Sequence, residues 1–354
     1  MTPEVQIAIV GGGPVGLVAA LFAADAVLEP VVIEPRETPI DKACGEGLMP
    51  GAWRLLRDLE LEPPGAELRG VAYLQGSARA EHRFRNGTGR GVARPTLHAA
   101  IAGRVAERGI RVIRARVDAV APHDTHVTIS GPDVGPLTAG HVIAADGLHS
   151  RVRDLVGLGA RPQRSSARRF GLRRHYAIAP WSDLIEVRWT PHGEFYVTPL
   201  GPELVGVALL GRRGADFGAA LADEPELAAR LQADARGESP AQLGQVRGAG
   251  PLLQRTRART AGRVLLAGDA SGYVDALTGE GLRLGMAEAK AAVAAIAADD
   301  PARYERDWRA ITRDFRVLTS GLVVAARSPL RPAIVPAAVH LPRLYGGIVE
   351  RLAR

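Results

Sequence analysis

Cysteine occurs once in 354 residues, at Cys44. No intramolecular disulfide can form, and neither a thiolate metal site nor a secretory framework can be assembled, so a reducing, cytoplasmic setting is expected. Lysine is almost as scarce. Lys42 and Lys290 are the only two among 45 basic residues, the rest being arginines scattered along the chain. Although the formal charge is +7, no basic block interleaved with aromatics is present to track phosphates. Nucleic acid is therefore not an expected partner, and a weak pull on anionic small molecules or membrane surfaces is what the charge leaves. Long hydrophobic runs are missing too: a stretch such as Ala291 to Ala298 falls far short of the roughly 18 residues needed to cross a bilayer. The start, MTPEVQIAIVGGG, carries Glu4 and a strand-like run where a signal peptide carries a basic segment. With 46% apolar residues the chain can build one large or two interleaved domains.

Glycine, by contrast, is placed with purpose. Val5 to Val10 is a short apolar run that meets Gly11-Gly12-Gly13-Pro14-Val15-Gly16, then an apolar helical stretch to about Val27 and a second strand, Val31 to Glu34. The spacing G-x-G-x-x-G falls on Gly11, Gly13 and Gly16, with Glu34 at the end of the second strand. Gly11 permits the turn, Gly13 lets backbone approach a pyrophosphate, and Gly16 lets the helix pack on the sheet. The helix N-terminus offers free N–H groups to phosphate, and Glu34 accepts from ribose hydroxyls. This pattern predicts dinucleotide binding, without separating NAD from FAD.

Later segments carry that distinction. Pro95 opens a helix to about Arg108, and strands are expected near Val112 and Val117, over His126 to Ser130, and over His141 to Ala145. Residues 168–212 change character, with Tyr176, Trp181, Trp189, Phe195 and Tyr196 and two strands about Gly201-Pro202, which reads as a β-rich insertion. Residues 216–236 look helical, Arg263 to Ala267 is a last strand, and a helix runs from about Leu282 to Ala298. The proline-rich stretch from Ser328 to Pro342 cannot be one regular helix. The apolar runs beyond Gly321 are expected to pack over the substrate domain.

Three motifs thus stand in order: GGGPVG with Glu34, ADGLHSRVR at 145–153, and LLAGDASGYVDALTGEG at 265–281. Together they resemble the FAD-dependent aromatic hydroxylase and geranylgeranyl reductase superfamily, of the para-hydroxybenzoate hydroxylase fold, over most of the chain. The resemblance implies an α/β fold in which a Rossmann-like FAD-binding domain (residues 1–70, 91–160 and 255–300) is interleaved with a β-sheet substrate domain (71–90 and 161–254), followed by a helical C-terminus (301–354). It implies FAD as cofactor, with Gly11, Gly13, Pro14 and Gly16 at the pyrophosphate, Glu34 at the adenosine ribose, Arg94 against flavin and phosphates, and a backbone group of Val117 at adenine. Asp146 with Arg153 matches an Asp-Gly motif that supports the FAD fold and, in hydroxylases, NAD(P)H use. Asp269 looks like the ribityl acid. Ala276, Gly279, Gly281 and Leu282 look like the approach to a helix aimed at the flavin pyrimidine, where two glycines can present amides to the negative charge of reduced flavin.

The last motif departs from the hydroxylase pattern, with Gly272 at its histidine position and Ala276 at its proline position, and is closer to geranylgeranyl reductases and flavin halogenases. A paired-tryptophan halogenase element is missing. The favoured expectation is an NAD(P)H-dependent flavin monooxygenase acting on an aromatic, polyketide-like or other hydrophobic small molecule, in which the protein mainly binds, orients and excludes water. The alternative is a geranylgeranyl reductase-like enzyme moving hydride between flavin and an apolar substrate, with Cys44 or Glu46 as candidate proton donors. A non-redox nucleotide-binding protein is the reading from another class. Cys44 and Gly45, in DKACGEGLMPG, fall on the loop that the family lays beside the isoalloxazine ring, and Cys44 reads first as a wall of that site. Trp189 and Tyr196 are the candidates to line the substrate pocket, and His149 reads as an exposed loop histidine.

Overall fold

In the computed structural model, which describes residues 3–160, 169–232 and 242–354, the strand Val5–Val10 lies between Pro30–Ile33 and Val134–Ala144 and runs parallel to both. Arg111–Ile113 and Val264–Leu266 continue the sheet on either side, again parallel. Except for the exposed edge strand Arg111–Ile113, these strands are buried on both faces, which is why they read as nearly unbroken apolar runs. Ile7, Ile9, Val32, Ile143 and Leu265 pack on one face against the helices Pro14–Asp25, Arg94–Glu107 and Gly281–Ala297. Ala8, Val10, Val31, Val142 and Leu266 face the other side with Val117, Val127 and Ile129.

A second sheet of seven strands runs in the order Gln242–Ala249, Arg169–Tyr176, Leu204–Arg212, Gly193–Gly201, Leu184–Thr190, Gly70–Gln75 and Ala78–Arg83. It is antiparallel except where Leu184–Thr190 meets Gly70–Gln75. Its strands come from the chain on both sides of the helix Arg94–Glu107, so the two sheets are interleaved in sequence. A small sheet of Gly47–Leu48, Gly89–Gly91 and Ala66–Leu68 joins them.

The bounds of the smaller elements differ in detail. No strand forms at Val117; the chain there is irregular and the strand is Ala119–Pro122, while Val117 itself is buried in the core. Residues 216–236 are not one helix. Asp216 caps Phe217–Ala222 by accepting from the Ala219 N–H at 2.7 Å, and Pro225 starts a second helix, Pro225–Gln232; residues 233–236 lie outside the described residues. After the loop DKACGEG a helix runs Pro50–Asp58, with Pro50 suited to its first turn.

Beyond Arg303–Ala326 the chain breaks into the short turn Arg331–Ala333 and the helices Ile334–His340 and Pro342–Ala353. They pack against the strand Ala78–Arg83, where His82 Nε2 meets Glu350 Oε1 at 2.8 Å, and against its neighbour Gly70–Gln75, where the Tyr345 hydroxyl donates to the Val71 carbonyl at 3.1 Å. Among the described residues no single helix is long and apolar enough to cross a membrane.

Candidate functional site

Parallel strands deliver the residues that follow them to one edge of a sheet, and that edge is where an open α/β sheet binds ligands. Here the edge collects the turn after Val10, Glu34 after Ile33, Asp146 after Ala144, and Asp269 after Leu266. Between it and the seven-stranded sheet lies a cavity of about 620 Å³.

The turn after Val10 is closely fitted. Gly11 has φ 106°, and a Cβ on Gly16 would sit 1.9 Å from the Gly11 carbonyl oxygen, so neither tolerates a side chain. A Cβ on Gly13, in contrast, would meet nothing within 4 Å, and Gly13 and Pro14 line the cavity. The helix that starts at Pro14 has no side-chain cap and no acid in its first turn, which leaves its first N–H groups available. Glu34 is buried and accepts from the Gly12 N–H at 2.8 Å and from Arg36 Nε at 2.7 Å. Burial pushes its carboxyl up, but the hydrogen bonds from Arg36 and Gly12 outweigh that and hold it below the usual range. Arg36, which also lines the cavity, was invisible as a partner in the spacing argument. So was His98, one helical turn after Arg94, whose buried Nε2 donates to the Gly12 carbonyl at 2.8 Å. Burial lowers its pKa and keeps it neutral, so it acts as a donor to the turn.

The loop DKACGEG forms a further wall, with Lys42, Cys44, Gly45 and Glu46 all at the cavity. Lys42 Nζ pairs with Asp269 Oδ2 at 2.8 Å, tying this loop to the last motif. Cys44 Sγ accepts from the Glu46 N–H at 3.4 Å and lies 3.9 Å from Arg94 Nη1. Glu46 is the most heavily engaged group: at φ 60°, its Oε1 accepts from the Arg94 N–H at 2.7 Å and its Oε2 meets His175 Nε2 at 2.7 Å. Arg173 lies 3.6 Å away and also bonds Asp41. Glu46 therefore caps the helix Arg94–Glu107 and holds the loop to the second sheet. Arg94 lines the cavity, and its buried Nε has no partner among the described residues.

On the remaining flank, Ala276, Gly279, Gly281 and Leu282 line the cavity at the start of Gly281–Ala297. Glu280, just before it, is fully buried against Arg283, and burial raises its pKa to about 7. Farther along, Glu288 accepts from the Gly268 N–H at 2.7 Å and from Ser271 Oγ at 2.8 Å, with its pKa raised by burial to about 8. Asp146 accepts from Ser150 Oγ at 2.5 Å and the Val152 N–H at 3.1 Å; burial raises its pKa.

Not every expected residue reaches the cavity. Gly11, Gly16 and Glu34 stand just behind its wall. Val117 lies in the sheet core, and Arg153 is buried, donating to the Leu148 carbonyl at 3.1 Å. Tyr196 does line it, its hydroxyl donating to the Leu277 carbonyl at 2.7 Å. Trp189 does not. It shares a strand face with Ile185 and Val187, which line the cavity, but sits farther along, with Tyr73 5.6 Å from its ring and the Arg331 guanidinium 5.4 Å above it. His149 is exposed, at the cavity rim, with Nε2 3.1 Å from the Gly250 carbonyl. The second-sheet flank is apolar: Val71, Tyr73, Ile185, Val187, Leu210 and Leu252 face the space.

Residues 4–299 match the family described as FAD binding domain. The chain is 25% identical to a menaquinone reductase of Mycolicibacterium smegmatis, across 93% of this chain and 85% of that one. It is 29% identical to digeranylgeranylglycerophospholipid reductase 1 of Methanopyrus kandleri, across 88% of each. Among solved structures, the p-nitrophenol 4-monooxygenase of Pseudomonas putida superposes with a TM-score of 0.79 at 20% identity, covering 99% of this chain and 97% of that chain. That likeness is one of fold.

Proposed function

The chain belongs to the FAD-binding-domain family of FAD-dependent oxidoreductases, and from that premise we propose that it is a reductase that passes a hydride equivalent from bound FAD to an apolar, isoprenoid-type molecule. FAD fits the residues present. Gly13, Gly45 and Gly279 border open space, the helix N-terminus at Pro14 is uncapped, and the buried Arg94 Nε has no partner among the described residues, as an anionic ligand requires. The glycine turn with Arg94 would hold the pyrophosphate, Arg36, held in place by Glu34, the adenosine ribose, and Asp269 with Lys42 the ribityl chain. The first turn of Gly281–Ala297 would face the pyrimidine.

Bound FAD supplies the hydride equivalent. The chain's own part is to exclude water, orient the apolar substrate on the second sheet, and deliver a proton. The carboxylates beside the loop are already engaged: Glu46 by the Arg94 N–H and His175, Asp269 by Lys42, Asp146 by Ser150. The Cys44 sulfur accepts from the Glu46 N–H and, at 3.9 Å, from Arg94 Nη1, and its S–H is left to donate. Cys44 is thus the proton donor of this reading and Glu46 its positioning residue. The observation that carries the reading is the continuity of one cavity from the glycine turn to an apolar sheet face. The two reductases match the chain along most of its length, and the departures at Gly272 and Ala276 point away from the hydroxylase pattern.

The test is to reduce the FAD-loaded protein anaerobically with NADPH or dithionite, add menaquinone or a geranylgeranyl lipid, and follow flavin absorbance and product mass. Reoxidation with a product heavier by two hydrogens is expected. Flavin that stays reduced with both probes, yet forms an oxygenated product from a phenol once air is admitted, would overturn the reading in favour of a monooxygenase.

A further inference from the structure

The C-terminal helices leave apolar side chains in solvent with no acid beside them in sequence. Val317, Val324, Leu330, Val339, Leu341 and Leu344 are all exposed, Val324 at 69% and Leu330 at 65%. From Arg316 to Val349 the chain holds four arginines, Arg316, Arg327, Arg331 and Arg343, and neither aspartate nor glutamate. The helix Arg303–Ala326 and the stretch Arg331–His340 match a bilayer span by length and composition alone, and they meet at a bend of 115°. A soluble surface normally intersperses both charge signs and few large aliphatic groups. Apolar side chains beside one sign of charge are what an interfacial segment presents to lipid.

The same segment reaches the cavity. Val349 and Leu352, on the helix Pro342–Ala353, line it, while Leu341 and Leu344 at the start of that helix face outward. The segment is anchored to the second sheet where Arg331 Nη1 reaches the fully buried Glu194 Oε1 at 2.6 Å, and an exposed pair, Arg351 Nε with Asp314 Oδ2 at 2.7 Å, ties the last helix to Arg303–Ala326.

We propose that the face formed by residues 317–344 docks on a bilayer rich in anionic lipid, inserting Leu330, Leu341 and Leu344 among the acyl chains with Arg343 at the headgroups. Insertion would place the helix that walls the cavity at the boundary where an apolar substrate is dissolved. The docking stands on the surface itself; that it feeds the cavity rests on the reductase reading. Membrane attraction of this kind is electrostatic in part and weakens with salt.

The experiment is flotation of the full-chain, FAD-loaded protein with vesicles of phosphatidylcholine alone or mixed with phosphatidylglycerol, at low and high salt. Several-fold greater recovery with the anionic vesicles at low salt is expected, and Leu330→Asp with Leu341→Asp and Leu344→Asp removes it while flavin absorbance and melting temperature stay unchanged. Arg343→Glu, a milder change, reduces it. Equal recovery on both vesicle types, or recovery unaffected by either variant, overturns the proposal. So does a concentration-dependent dimer abolished by the triple variant, which assigns the face to a second copy of the chain. No outcome depends on turnover, so failure of the reductase reading is read separately.

Discussion

Gly16 shows how little freedom the nucleotide turn has. With its hypothetical Cβ 1.9 Å from the Gly11 carbonyl, Gly16→Ala must push the first helix off the sheet, at a cost of roughly 1–3 kcal/mol or more. A lower melting temperature and FAD lost on gel filtration are expected; a variant that melts like the parent and keeps its FAD would contradict the close approach. Cys44 calls for a kinetic test because its surroundings suit two roles. If the thiol donates the proton, Cys44→Ala leaves FAD bound and reducible but slows substrate reduction by about a hundredfold or more. Retained turnover with a shifted flavin spectrum would leave it only a wall of the site.

At the scale of elements, the helix Gly281–Ala297 and the residue before it carry two buried acids whose pKa values burial has raised, Glu280 to about 7 and Glu288 to about 8. In the unfolded chain a glutamate titrates near 4.5. Between that value and about 8 the folded protein holds a proton on Glu288 that the unfolded chain has released, so stability falls as pH rises across this window and levels off above it. Glu288→Gln, which still accepts from the Gly268 N–H, should therefore flatten the decline in melting temperature between about pH 5 and 8. Glu280 and Asp275, the latter at about 6, leave a residual slope. An unchanged profile would mean that Glu288 is ionised in the fold. The parallel strands and their glycine turn were legible because a strand buried on both faces is continuously apolar and a turn needs glycine. The partners of the site acids were not: Lys42 for Asp269 is 227 residues away, His175 for Glu46 is 129 away, and no local pattern encodes such distances. The place of Trp189 beyond the cavity was hidden for a related reason, since alternation gives the face of a strand and not how far along it a cavity extends.

Across the whole molecule, the C-terminal segment is held by buried charge as well as by packing. Glu194 receives both Arg169 and Arg331, and Arg331 also donates to the Thr190 and Gly193 carbonyls at 2.6 and 2.8 Å. Arg331→Ala leaves Glu194 Oε1 and the Thr190 and Gly193 carbonyls without this donor while Arg169 still pairs with Oε2, so it should cost about 1–3 kcal/mol in denaturant unfolding. A loss under about 1 kcal/mol would mean that water reaches Glu194. Glu46 plays the corresponding part at the cavity, one carboxylate shared between the loop beside the nucleotide turn, the helix Arg94–Glu107 and the second sheet. Any ligand that shifts one of these three shifts the bonds to the other two. Cofactor and substrate then cannot bind independently: whatever factor FAD adds to the affinity for substrate, substrate must add to the affinity for FAD.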